Sequence, residues 1–186
     1  MKVKPLLSVS LLSVSCLVLL YSVLSCPAFA QMIDIGDASG NPGGAVSVPV
    51  TLTAPSNMTA AFMRVSYNAT VLENPSATAG ALASSGHALD FHSPAPGQLN
   101  VIVCSSSGAP AFTAQSGVLF YLQVDIKRGA APGDYSLTYT TAGAPAIPTT
   151  NLVNTAGALV THSTSPGKVT VMSRFATARP DWMLYE

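Results

Sequence analysis

Residues 60–67, Ala-Ala-Phe-Met-Arg-Val-Ser-Tyr, alternate as a β-strand requires. Met63, Val65 and Tyr67 share one face, and Phe62, Arg64 and Ser66 share the other. The same period of two recurs along the chain. In AVSVPVTLT (45–53), Val46, Val48, Val50 and Leu52 point one way, with Pro49 on the outward parity, the place for an edge or a bulge. LNVIVCS (99–105) sets Leu99, Val101 and Val103 against Asn100, Ile102 and Cys104. GVLFYLQVDIK (117–127) puts Val118, Phe120, Leu122, Val124 and Ile126 on one face, and Tyr121, Gln123, Asp125 and Lys127 on the other. Tyr135, Leu137 and Tyr139 face inward from DYSLTYT, MIDI (32–35) opens the domain, and GKVTVM (167–172) closes it. A short strand is expected at 89–92.

Between these runs, ASGNPGG (38–44), PSATAGALASSGHA (75–88), SPAPGQ (93–98) and RGAAPGD read as turns or loops, rich in residues that tolerate or preset turn dihedrals. The stretch 141–158 is weakly patterned. No segment shows an amphipathic helix with caps. Strands that alternate have one wet face each, which implies antiparallel sheets. Two such sheets bury their inner faces against one another. The expected fold is therefore an all-β, antiparallel β-sandwich, jelly-roll-like, over residues 31–172.

The first thirty residues stand outside this pattern. Lys2 and Lys4 precede a long apolar stretch, and Ala28-Phe29-Ala30 places small residues at the cleavage-determining positions before Gln31. That is the layout of a secretory signal peptide, so a secreted, extracellular protein is expected. Two alternatives remain open: Pro5–Ser25 is long enough to stay as a membrane anchor, and Val23-Leu24-Ser25-Cys26 resembles a lipobox that would make a cell-surface lipoprotein. The final residues, 173–186, lack alternation and read as a flexible tail.

Eight Lys and Arg balance eight Asp and Glu in the whole chain. Without Lys2 and Lys4, six bases face eight acids. No basic stripe exists, which argues against nucleic-acid partners. Cys16 and Cys26 leave with the leader, so Cys104 has no disulfide partner and reads as a small, half-buried apolar residue.

Catalytic signatures are missing: there is no GxSxG, HExxH, phosphate loop, CxxC or EF-hand loop. His87, Asp90 and His92 cluster in sequence, but a loop gives them no fixed geometry, and no metal or other cofactor is expected. Asp134 follows Gly133 in a turn, where aspartate bonds its own backbone. Asn57-Met58-Thr59 and Asn68-Ala69-Thr70 fit the glycosylation sequon. The expectation is a non-catalytic protein.

In order, IDIGDASGNPGGAVSVPVTLT, MTAAFMRVSYNATVLEN, GQLNVIVCSSSG, SGVLFYLQVDIKRGAAPGDYSLT and a final GKVTV resemble a cohesin domain, the receptor module of cellulosome scaffolds and a relative of carbohydrate-binding-module sandwiches. The resemblance spans residues 32–172. Its most specific block is Tyr67-Asn68-Ala69-Thr70-Val71-Leu72-Glu73, where the family writes Tyr-Asp-Pro before Val-Leu-Glu. Asn68 can begin the turn as aspartate would. The resemblance implies a dockerin-like protein partner, in extracellular polysaccharide processing or cell-surface assembly. It also implies a binding face on the strands at 60–66, 89–92 and 99–105, presenting Ala60, Phe62, Arg64, His92, Asn100, Ile102, Cys104 and Ser105. Type I members usually place polar or acidic residues where Ala60, Phe62 and Ser105 stand, so this chain departs from their pairing chemistry. A carbohydrate-binding module and a purely structural exported sandwich are the competing readings. The glycan reading needs several outward aromatics, and only Phe62, Tyr121 and Phe91 are candidates.

Overall fold

The computed structural model describes residues 31–53, 57–83, 86–106, 112, 116–140 and 150–173. They form a β-sandwich of thirteen strands: β1 (Gln31–Ile35), β2 (Asp37–Gly40), β3 (Ala45–Thr53), β4 (Met58–Ser66), β5 (Leu72–Ala79), β6 (His87–His92), β7 (Gln98–Ser105), β8 (Gly117–Ile126), β9 (Gly133–Tyr139), β10 (Thr150–Asn154), β11 (Leu159–Val160), β12 (His162–Ser165) and β13 (Gly167–Val171). One sheet runs β12-β1-β3-β8-β5. In the other, β4 has β7 and then β6 along one side, while its other side meets β10-β11 and β9-β13-β2.

The inner faces are the apolar parities of the strands. Val46, Val48, Val50 and Leu52 of β3 and Leu122, Val124 and Ile126 of β8 face Ala61, Met63 and Val65 of β4 and Leu99, Val101 and Val103 of β7, all buried. Alternation is sufficient to assign these positions because slipping a strand by one residue would send its whole apolar set into water.

Two pairings are parallel, an arrangement strand alternation did not anticipate: β1 with β12, and β2 with β13. The first and last strands run side by side in one sheet and then pass together into the other. They cross at Gly36 and at Gly167. A Cβ on Gly167 would lie 2.1 Å from the Gly36 carbonyl oxygen and 2.3 Å from that of Ile35. A Cβ on Gly36 would lie 2.9 Å from Pro49 Cγ. Only glycine allows backbones this close.

Pro49 is in β3, an interior strand rather than an edge. It lies just past the end of the β1 pairing, where its carbonyl accepts from Gly36 N–H (2.8 Å), so the ladder loses a donor only at its end. Two bulges also broke the expected pattern. Val50 pairs with Phe120 but Thr51 with Val118, so Leu119 is an extra residue, and both Leu119 and Phe120 are fully buried. Likewise β5 continues through Asn74-Pro75, where the register against β8 shifts between Glu73 and Ser76.

Other parts of the expected loops are also strand. Residues 75–79 belong to β5, a single 3₁₀ turn spans Ala81–Ala83, and β6 begins at His87 rather than 89. Residues 38–40, read as loop, belong to β2, and β10 lies inside the weakly patterned stretch. Small residues with little apolar contrast carry no visible period, and the sheet neighbours decide such segments. Asp134 is likewise in β9 rather than a turn. Its carboxylate accepts from Lys168 Nζ (2.7 Å) and Thr170 Oγ1 (2.6 Å) across to β13, and these hydrogen bonds hold its pKa below the ordinary value. Tyr135, read as inward, is half-buried and donates to Ala131 O (2.8 Å). The leader (1–30), residues 141–149 and the tail from 174 lie outside the described residues.

The crossing yields a test. Gly167→Ala should destabilise the protein by about 3 kcal/mol or more, because backbone atoms, unlike flexible side-chain ends, cannot give way. Gly129→Ala, with nothing within 4 Å, should change stability by about 0.5 kcal/mol or less. Urea unfolding of the two variants compares them; similar midpoints would mean the crossing tolerates a methyl group.

Candidate partner-binding face

The site is built on β4, β7 and β6, whose antiparallel register places outward residues in straight rows. Ala88, Cys104 and Ala60 stand opposite one another, then Asp90, Ile102 and Phe62, then His92, Asn100 and Arg64. Beyond β4 the first two rows continue into Val153 and Asn151 of β10. Opposed side chains in such a ladder lie roughly 5 Å apart, so each row is a set of neighbours. The six residues singled out from sequence, Phe62, Arg64, His92, Asn100, Ile102 and Cys104, therefore share one face. Ser105 does not: it pairs with His87 on the opposite parity.

The middle row has an apolar centre, Ile102 and Phe62, between Asp90 and Asn151. Ile102 is 45% exposed, and beside it Phe91 is 42% exposed, while Phe62 is half-buried. With Asp90, His92 and Asn100 they line a shallow depression of about 200 Å³. Cys104 is free and half-buried, flanked by the two alanines of its row.

Arg64 departs from expectation. It has outward parity yet is only 8% exposed. The reason is its place: β4 changes partner at this point, from β10 at Met63 to β9 at Val65, and Thr140 N–H donates to Arg64 O (3.0 Å). On the other side, Arg64 Nε–H donates to Asn100 Oδ1 (2.8 Å). The residue is thus enclosed by strands on both flanks and serves to fix Asn100 rather than to offer a free charge.

The sequence cluster of His87, Asp90 and His92 also resolves into different roles. It lies on a strand rather than a loop, so Asp90 and His92 point outward while His87 turns away and stacks on Phe112 with ring centroids 4.3 Å apart. Among the described residues no group of His, Cys, Asp and Glu is gathered to hold a metal ion. Asp90 and Asn151 were missed as members of the face, and Phe91, of the opposite parity, reaches its rim. Asp90 shares parity with His92 and was legible once 87–92 was a strand, whereas Asn151 needed the placement of β10. At the end of β4, Thr70 N–H and Oγ1 donate to Asn68 Oδ1 (2.9 and 2.7 Å), the turn expected of Asn68.

Replacing Asn100 by Leu leaves a largely buried guanidinium N–H without its acceptor and should cost about 1–3 kcal/mol. Adding Arg64→Met should recover most of that loss. Denaturant unfolding of the two single variants and the double variant measures the coupling; strictly additive losses would show that the bond contributes nothing.

The family model described as Cohesin domain matches residues 32–171. No curated protein matches the chain. Among solved structures, the sixth cohesin of Acetivibrio cellulolyticus scaffoldin B, in complex with a dockerin mutant, aligns with a TM-score of 0.66 at 24% identity, covering 77% of this chain and 99% of that one. A non-cellulosomal cohesin from the archaeon Archaeoglobus fulgidus aligns at 0.62 and 20% identity, over 78% of this chain and 94% of that one. A type I cohesin–dockerin complex from Clostridium thermocellum aligns at 0.63 and 15% identity, over 77% and 99%. These likenesses agree with the fold described above, and the family match covers nearly the whole sandwich. The chain belongs to the cohesin domain family.

Proposed function

We propose that this chain is a non-catalytic receptor module that binds a dockerin-type partner through the outward side of β4, β7 and β6. The observation that carries this reading is the open row of Phe62 and Ile102, with Phe91 beside it and polar groups at its rim. An apolar centre that excludes water, ringed by polar residues, is how protein interfaces concentrate their binding energy. Family membership supports the same partner class, since cohesins among the similar structures are complexed with dockerins. The glycan reading draws less support. Phe91 and Tyr121, the aromatic residues most exposed among the described residues, lie on different sheets and make no shared stacking platform.

Binding of a panel of purified dockerin modules, measured by surface plasmon resonance, tests the proposal. At least one should bind the wild-type chain, and Phe62→Ala and Ile102→Arg should each weaken it about tenfold or more, equivalent to about 1.4 kcal/mol. Thermal stability should stay near that of the wild type. Equal binding by all three proteins would remove the face from consideration. Arg64→Glu is not a surface test, because that side chain is largely enclosed.

We further propose that the protein is exported and acts outside the cell, in polysaccharide processing or cell-surface assembly, with its leader removed after Ala30. Intact-mass analysis of protein from its native host should find Gln31 as the first residue. A chain beginning with lipid-modified Cys26, or one retaining the leader, would instead place the module on a membrane.

A further inference from the structure

Asp90 distinguishes the depression from a plain apolar patch. It stands opposite Ile102, which stands opposite Phe62. Its Oδ1 accepts from the Phe91 N–H (2.8 Å), an orientation that leaves the second carboxylate oxygen with no partner among the described residues. The cation of the same face does not neutralise it. Arg64 is 8% exposed, donates Nε–H to Asn100, and makes no ion pair; the ion pair among the described residues joins Lys168 to Asp134 elsewhere. The depression therefore has apolar walls, Phe62 and Ile102, and one exposed negative charge at its side.

We propose that this depression is the socket for one basic side chain of the partner, a lysine or arginine whose alkyl stem lies along Phe62 and Ile102 and whose charge meets Asp90. This rests on the reading of the face as a dockerin-binding surface and adds to it the chemistry that selects among dockerins. Long basic side chains have the required two-part character, an apolar stem and a charged tip. A guanidinium or ammonium also gains from contact with an aromatic ring such as that of Phe62. The alternatives fit less well. An apolar side chain would cover the carboxylate without pairing it, and a buried unpaired charge is costly. An acidic side chain would face like charge, with the nearby guanidinium already enclosed. Because Phe62 stands where type I members place a polar or acidic residue, the acid that recruits the partner's base is supplied one strand pair away, from β6.

The test uses a displayed library of the dockerin from the Acetivibrio cellulolyticus complex, with its cohesin-contacting positions randomised. It is selected against the full chain as wild type, Asp90→Asn and Asp90→Lys. Wild type should enrich lysine or arginine severalfold at one position. Asp90→Asn should lose that preference, and Asp90→Lys should replace it with aspartate or glutamate. The best wild-type binder should lose about tenfold or more in affinity for Asp90→Lys and regain it when its base is changed to glutamate. Enrichment of apolar or acidic residues by the wild type, or identical selections by all three proteins, would overturn the socket while leaving dockerin binding intact. Recovery of no binder by the wild type would overturn the dockerin reading itself, and the socket with it.

Discussion

Where β1 becomes β2 and β12 becomes β13, the two ends of the domain cross from one sheet to the other in backbone contact. At that point Gly167 sits so close to the carbonyls of Ile35 and Gly36 that a single methyl group has no room. Four short strands depend on this contact. Without it β1 and β12 would lose the register that joins them, and so would β2 and β13, each of which pairs over only four residues. The crossing also places Pro49 just past the end of the β1 pairing, where the ladder loses a donor only at its end. The chain ends thus fasten the two sheets to each other, and the apolar inner faces are held closed from both sides.

With the sheets closed by their own ends, the outward side of β4, β7 and β6 is not needed for the core. That independence leaves it available for the binding role proposed for it. Its inner parity is wholly apolar and buried, so the ladder holds register whatever stands on the other side. The outer parity then varies freely, and here it holds small residues in one row, apolar ones in the next and polar ones in the third. The bond from Arg64 to Asn100 stiffens the polar row, while the apolar row stays open. A rigid ladder presenting a graded surface loses little entropy when a partner docks.

The departure of this face from the type I pattern takes a definite physical form. At its centre a phenylalanine stands where the resemblance to type I members implies a polar or acidic residue, and an acid stands opposite on β6. Such a rearrangement shifts the contact from hydrogen bonding toward burial plus one charge pair. Under the proposed binding, such a face would gain affinity from its apolar centre and selectivity from the charge, since a like-charged or uncharged partner would leave Asp90 unsatisfied.

Alternation alone determined the inner faces of β3, β4 and β7 and of β8 from Phe120 onward, the sandwich that must bury them, and the shared parity of Phe62, Arg64, Asn100, Ile102 and Cys104. The turn at Asn68 was legible as well, because its bond is local. Four features were decided only by tertiary structure. The bulges at Leu119 and Asn74-Pro75 shift parity in response to the neighbouring strand. The strands β2, β5 and β10 are made of residues with little apolar contrast, and they exist because a partner edge satisfies their backbone. The enclosure of Arg64 follows from β4 exchanging β10 for β9 beside it. The parallel crossing at Gly36 and Gly167 joins residues more than a hundred positions apart. A period of two reports which way a side chain points. It does not report which strand lies alongside, and that neighbour decides whether an outward residue is free or covered.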